Sequence, residues 1–176
     1  MGMVKVMRSG LAILALCAVA GVSRGAAESA VLDAPTDNVR TAAISALEEK
    51  GFRISGARRS TGDLTARRAQ PVKYTDGKSD AAAELHRIAK VDPMWEADVA
   101  SLSEYYVTMT VATHAVESAK TRLDVTAQIT GARRTRGRRG RPVPVPIESN
   151  GVLEKELVGD IRSRLASGKG NEHEGS

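Results

Sequence analysis

The chain has 176 residues, a formal net charge of +5, 41% hydrophobic side chains, 27% charged and only 3% aromatic. That is one domain's worth of sequence with enough apolar content to bury a core. It excludes a collagen, a coiled coil, a disulfide scaffold and a multi-helix membrane protein, while five aromatic residues in all leave the core thin in large side chains.

Residues 1–27 contain Lys5, Arg8 and Arg24 but no acid, and the apolar run Leu11 to Val22 lies between Arg8 and Arg24. A basic start, an apolar stretch of roughly 7 to 15 residues and a small-residue exit describe a secretory signal. The run is shorter than the roughly 20 apolar residues that span a bilayer. Cleavage can follow Ala20 or Ala27, and the sequence does not choose between these and an uncleaved anchor. Cys17, the only cysteine, sits mid-run behind Leu16, a residue too large for a lipobox; a cleaved chain has no thiol. The expected location is the periplasm or cell envelope, with membrane association left open.

Glu28 to Leu32 is a short strand candidate. Pro35 suits a first helical turn, and Val39, Ala42, Ala43, Ala46 and Leu47 recur at helical spacing until Gly51, placed as the C-terminal stop. Phe52 to Ser55 and Leu64 to Ala66 flank a polar turn containing Gly62, a hairpin signal. Residues 69–103 read as an insertion carrying Trp95, with a short helix over Ala81 to Lys90 that places Leu85 and Ile88 on one face. Tyr105, Val107, Met109 and Val111, then Leu123, Val125, Ala127 and Ile129, alternate with polar neighbours, as strands with one wet face require. Gly131 to Pro146 is low-complexity and expected to be an extended, mobile loop. Ser149 or Asn150 can cap a last helix on which Leu153, Leu157, Ile161 and Leu165 repeat every four residues; Glu154 and Glu156 lie early and Arg162 and Arg164 late, matching the dipole.

These elements predict a signal over residues 1–27, one domain over 28–167 and a polar tail over 168–176. The domain contains the insertion 69–103 and an Arg/Pro-rich loop at 131–148. The expected class is α+β, an antiparallel sheet of four to five strands with two helices on one face, in the order β-α-β-β-insertion-β-β-α.

The run Leu32-Asp-Ala-Pro-Thr-Asp-Asn-Val-Arg40, the helix end at Gly51-Phe52, the Ser60-Thr-Gly62-Asp-Leu64 turn, the Lys120 to Val125 strand and the Leu-rich last helix are similar to the small BamC-like helix-grip domains of bacterial envelope lipoproteins. The resemblance covers most of residues 28–167 and implies an envelope protein that binds proteins or small ligands. It transfers no catalytic residue, and the missing lipobox and the arginine loop depart from it. In such a fold a cavity between helix and sheet can hold an apolar ligand, here against Tyr105, Val107, Met109, Leu123 and Val125, which implies a carrier as the alternative function.

Catalytic chemistry finds little support in the sequence. A nucleophile needs an adjacent base, and His86, His114 and His173 sit far apart, none at metal-ligand spacing. No cofactor motif is present, and the expectation is a non-enzyme. What exceeds background is Arg133, Arg134, Arg136, Arg138, Arg139 and Arg141, six forked cations within nine positions. The first 27 residues hold three of the 26 basic residues and none of the 21 acids, so the remainder carries +2; without those six arginines it carries −4. The basic character is therefore local. For an exported chain the expected partners are envelope proteins or an anionic envelope surface of lipid headgroups, lipopolysaccharide or teichoic phosphates. Nucleic acid is disfavoured, because no aromatic residue is interleaved to stack bases.

Overall fold

A computed structural model of the chain describes residues 26–57, 63–68, 80–90, 102–134 and 142–169. The elements are β1 (Ala27–Leu32), α1 (Thr36–Glu49), β2 (Arg53–Ala57), β3 (Leu64–Arg68), α2 (Asp80–Ile88), β4 (Leu102–Glu117), β5 (Lys120–Arg134), β6 (Pro142–Ile147) and α3 (Val152–Lys169). The strands form one antiparallel sheet in the order β1-β5-β4-β3-β2, with β6 also paired to β5. This is the expected α+β class, enlarged among the described residues to six strands and three helices. Residues 1–25, where a signal is expected, Trp95 and the end of the tail lie outside the described residues.

Period-two patterning decides which face of the sheet is covered. Tyr105, Val107, Met109, Val111, Leu123, Val125, Ala127 and Ile129 are all at most 3% exposed and point toward the helices. The intervening Tyr106, Thr108, Thr110, Arg122, Asp124, Thr126 and Gln128 occupy the opposite face, partly or fully in solvent. α1 covers the core with Val39, Ala42, Ala43, Ala46 and Leu47, and α3 with Leu153, Leu157, Val158 and Ile161. Across their exposed sides Lys50 pairs with Asp160 at 2.8 Å, and Arg164 pairs with Glu49.

Gly51 stops α1 as its place in the sequence suggests. It adopts φ +77°, a conformation that side-chain-bearing residues avoid. Its N–H donates to the Glu48 carbonyl and the Phe52 N–H to the Leu47 carbonyl, both at 2.9 Å. These two bonds close the helix end and turn Phe52 into the core at 3% exposure.

The expected Arg/Pro-rich loop at 131–148 is corrected by the structure. Residues 131–134 continue β5, and 142–147 form β6, in register from Ile129↔Ile147 to Arg134↔Pro142. Proline normally argues against a strand, because it lacks the ladder's N–H. Here the three prolines fall on alternate positions of an edge strand, so Val143, Val145 and Ile147 retain every donor that β5 needs.

β1 and β6 lie end to end along the same edge of β5. β1 pairs with residues 121–126 and β6 with 129–134. The junction leaves the Ala127 N–H without a strand partner, and Glu154, from the first turn of α3, supplies one. Its Oε1 accepts from Ala127 at 3.1 Å, its Oε2 accepts from the Ser149 hydroxyl at 3.0 Å, and the side chain is fully buried.

Candidate anion-binding surface

The six candidate arginines belong to the β5–β6 hairpin. Arg133 is exposed opposite Val143, and Arg134 pairs with Pro142 at the last rung of the ladder. Arg136, Arg138, Arg139 and Arg141 fall in the seven-residue connection 135–141, outside the described residues. The ladder is in register up to Arg134↔Pro142.

The base of that hairpin is tied to the body of the protein at two levels. On the sheet, a Cβ on Gly131 would stand 2.7 and 2.8 Å from the two methyl carbons of Leu102 and 3.2 Å from Cδ1 of Ile147. Only glycine lets these two side chains close over β5. Val145 and Ile147 extend the contact by packing against the core. Beyond β6, the chain bonds to the end of α2. The Lys90 N–H donates to the Glu148 carbonyl at 2.9 Å and the Asn150 N–H to the Ile88 carbonyl at 3.1 Å. The Asn150 side-chain amide adds a bond to the Arg87 carbonyl at 2.7 Å, and Lys90 pairs with Glu148 at 2.5 Å.

α2 is itself anchored to the sheet. Leu85 and Ile88 are fully buried, as their spacing suggests. Beside them Arg68 of β3 donates to Glu84 Oε1 at 2.5 Å, and the Tyr105 hydroxyl donates to Glu84 Oε2 at 3.1 Å. The Arg68 guanidinium also lies 5.7 Å above the Phe52 ring. Burial opposes the charge on Glu84, but the Arg68 contact, the Tyr105 bond and Arg87 outweigh it and hold the carboxyl below its ordinary value. Burial likewise opposes the charge on Arg68, yet its pairing with Glu84 raises its pKa. Burial and the Glu84 charge push the Tyr105 hydroxyl up to about 12. The mutual stabilisation of opposite charges makes this half-buried cluster a fastener between α2 and the sheet.

The five positions expected to line an apolar cavity, Tyr105, Val107, Met109, Leu123 and Val125, are at most 3% exposed and belong to the packed core beneath the helices. Grooves on the surface lie elsewhere. One of about 560 Å³ runs between α1 and α3 beside Pro35, Thr41, Ser45 and Leu165. Among the described residues no group of His, Cys, Asp and Glu has the geometry of a metal site. His86 is exposed on α2, His173 lies outside the described residues, and His114 stands 3.8 Å from Asp124 on the open face. Burial of Asp124 is outweighed by hydrogen bonds from Ser29 and Arg122, which hold its carboxyl below the ordinary value.

The open face also gathers a group that the sequence reading passes over. Arg53 of β2 stands opposite Arg67 of β3, and the Arg67 guanidinium lies 4.5 Å from the centroid of the Tyr106 ring. Only the strand register brings these residues together, so no linear motif announces them. Among the described residues no helix is long and apolar enough to cross a membrane. No family model matches the chain, and no curated protein sequence is significantly similar to it.

Proposed function

We propose that the protein is an exported, non-catalytic module of the cell envelope whose arginine hairpin contacts an anionic surface or partner. The observation that carries this reading is the β5–β6 ladder, fixed at its base by Gly131, Leu102, Ile147 and the end of α2 and running to Arg134↔Pro142; in the sequence Arg136, Arg138, Arg139 and Arg141 fall between its two strands. Four forked cations within six positions of the sequence concentrate charge that the rest of the domain, net acidic, does not carry. The signal-like first 27 residues and the resemblance to envelope helix-grip domains support the compartment.

The test compares the wild-type chain with a tip variant carrying Arg136→Ser, Arg138→Ser, Arg139→Ser and Arg141→Ser. Co-sedimentation with phosphatidylglycerol-containing vesicles is measured over a range of salt. Wild-type binding falls with salt, and the tip variant binds more weakly, since each basic residue near an anionic membrane contributes about 1 kcal/mol. Equal binding of the two chains at every salt concentration overturns the proposal.

A further inference from the structure

β1 and β6 share one edge of β5 but present different outer sides. The odd-numbered N–H groups of β5 point toward that edge, so Glu28, Ala30 and Leu32 bond to Val125, Leu123 and Thr121, and the backbone groups of Ala27, Ser29 and Val31 point outward. β6 has proline at its three outward positions. β1 has none, and its outward residues are all exposed, Val31 to 57%. Among the described residues no strand lies beyond β1 and no backbone bond reaches its outer side. Such an edge is a template for a further strand.

α3 flanks this edge. β1 runs alongside it, from Ala26 beside Gly151 to Val31 and Leu32, which share a recess of about 300 Å³ with Arg162, Leu165 and Ala166. Asp160 and Arg164 turn toward α1, where they pair with Lys50 and Glu49. At about 100° per residue, Lys155, Gly159, Arg162 and Ala166 fall together on the opposite flank, and all four are exposed. Among the described residues neither Lys155 nor Arg162 makes an ion pair. The neighbouring acids Glu156 and Asp160 are engaged by Arg87 and Lys50, and Glu28 and Asp33 of the adjoining segment pair with neither flank cation. A Cβ on Gly159 would meet nothing within 4 Å, so the space between the two cations is open.

We infer that the outer edge of β1 accepts an extended acidic segment of a partner protein as an added strand, with its alternate carboxylates against Lys155 and Arg162. The site stands apart from the arginine hairpin and does not depend on it. Main-chain bonds to Ala27, Ser29 and Val31 hold the segment, and side chains select it. Every second side chain of an added strand, about 6.6 Å from the next, projects to the helix side, under the flank of α3. Lys155 and Arg162 lie seven residues apart, about 10 Å along the helix, within reach of two such side chains. Charge complementarity decides the occupant. A basic segment would face two cations, and an apolar one would cover them without pairing them. A second copy joined β1 to β1 about a two-fold axis would set its own pair of flank cations against this pair.

The experiment follows, by fluorescence anisotropy, the binding of two short labelled peptides, one of alternating glutamate and threonine and one of alternating lysine and threonine. The reference protein is the full chain with the hairpin tip substitutions, so that the tip arginines cannot supply the binding. It is compared with the same chain carrying Lys155→Glu/Arg162→Glu or Val31→Pro. The reference binds the glutamate peptide about tenfold more tightly than the lysine peptide, and the double glutamate variant reverses that preference. Val31→Pro removes an outward donor but no bond of the β1–β5 ladder, and weakens glutamate-peptide binding by about tenfold. Equal binding of the two peptides by the reference, or a preference that charge reversal leaves unchanged, overturns the site. Both reversed positions are exposed, so this comparison stands even if the proline variant does not fold. Unaltered binding by a folded Val31→Pro protein overturns the role of the edge. A reference dimer in sedimentation equilibrium that Val31→Pro dissociates assigns the edge to a second copy, and peptide binding seen only after removal of residues 170–176 assigns it to the chain's own tail. Either result overturns the partner assignment. Because the tip cations are absent throughout, this site and the hairpin reading fail separately.

Discussion

Glu154 Oε1 accepts the N–H of Ala127 at 3.1 Å, at the junction on the edge of β5 where β6 ends and β1 begins. A helix residue thus completes a ladder that two strands leave open. Its second oxygen engages Ser149, whose hydroxyl oxygen in turn accepts from the Gly151 N–H at 3.2 Å. The carboxylate therefore joins the sheet, the turn before α3 and α3 itself.

Removing this carboxylate strands a buried N–H and opens a void. Glu154→Ala is expected to destabilise the fold by about 2–4 kcal/mol in urea unfolding. Glu154→Gln keeps an acceptor for Ala127, and the Ser149 hydroxyl can reorient to accept from the new amide, so its loss is about 1 kcal/mol. Equal losses in the two variants contradict the bridging role.

Gly131→Ala tests how tightly the hairpin base is packed. The added methyl meets both Leu102 methyl carbons below 3.0 Å, inside a region where Leu102 is 3% exposed and has little room to move. Overpacking of this kind costs about 1–3 kcal/mol. Hydrogen exchange at Val143 and Val145 should accelerate more than at Val107 and Leu123, which lie deeper in the sheet. Uniform acceleration across the sheet would show that the strain is not local to the hairpin.

The Arg68–Glu84–Tyr105 cluster makes stability depend on pH at both extremes. The carboxyl of Glu84 titrates lower when folded than when unfolded. Its contribution is therefore complete above the unfolded value, about 4.3, and is lost as pH falls through the folded value. Glu84→Gln should flatten the acid limb of a stability–pH curve. Tyr105 behaves in the opposite sense. Its folded pKa of about 12 lies above the ordinary 10.0, so its contribution is present below pH 10 and fades as pH rises toward 12. A near-ultraviolet titration of the native protein should show a phenol ionising near 12, absent in Tyr105→Phe.

The prolines of β6 guard an edge. The N–H groups of Ala127 and of the residues at odd positions on β5 point toward β1 and β6, which places the N–H groups of Val143, Val145 and Ile147 on β5 and those of positions 142, 144 and 146 outward. Proline at all three outward positions leaves that edge with carbonyls but no donors. Pro142→Thr/Pro144→Thr/Pro146→Thr should increase self-association, read as a concentration-dependent rise in light scattering. An unchanged monomer-like profile removes the protective role.

The sequence makes α1, β4, β5 and α3 legible because their burial follows a simple period along many residues. Gly51 is readable as a stop for the same reason, and both capping candidates act at the start of α3: Ser149 accepts from Gly151 and Asn150 from Val152. β6 is hidden because its prolines mimic a linker, and only the presence of β5 beside it reveals that they sit at the harmless positions. Glu154 passes as an ordinary acidic residue of a first helical turn, since the gap it fills is created by two strands more than a hundred residues apart in sequence. The Arg53–Arg67 pair depends on a register that shifts between Ile54 and Gly56. A one-residue irregularity of that kind cannot be read from alternation alone.

β1 and β5 meet with Ala27 against Thr126 and Leu32 against Thr121, so among the described strands the first in the chain pairs with one some ninety residues later. Until β5 emerges, the leading segment has no edge to join, and Ala30 and Leu32, buried in the finished protein, remain uncovered by the sheet. Closure of so long a loop is a slow, late event in folding. The docking of β1 on the sheet therefore waits for the turn between β4 and β5 to form, and the β1–β5 ladder joins last what lies furthest apart in the chain.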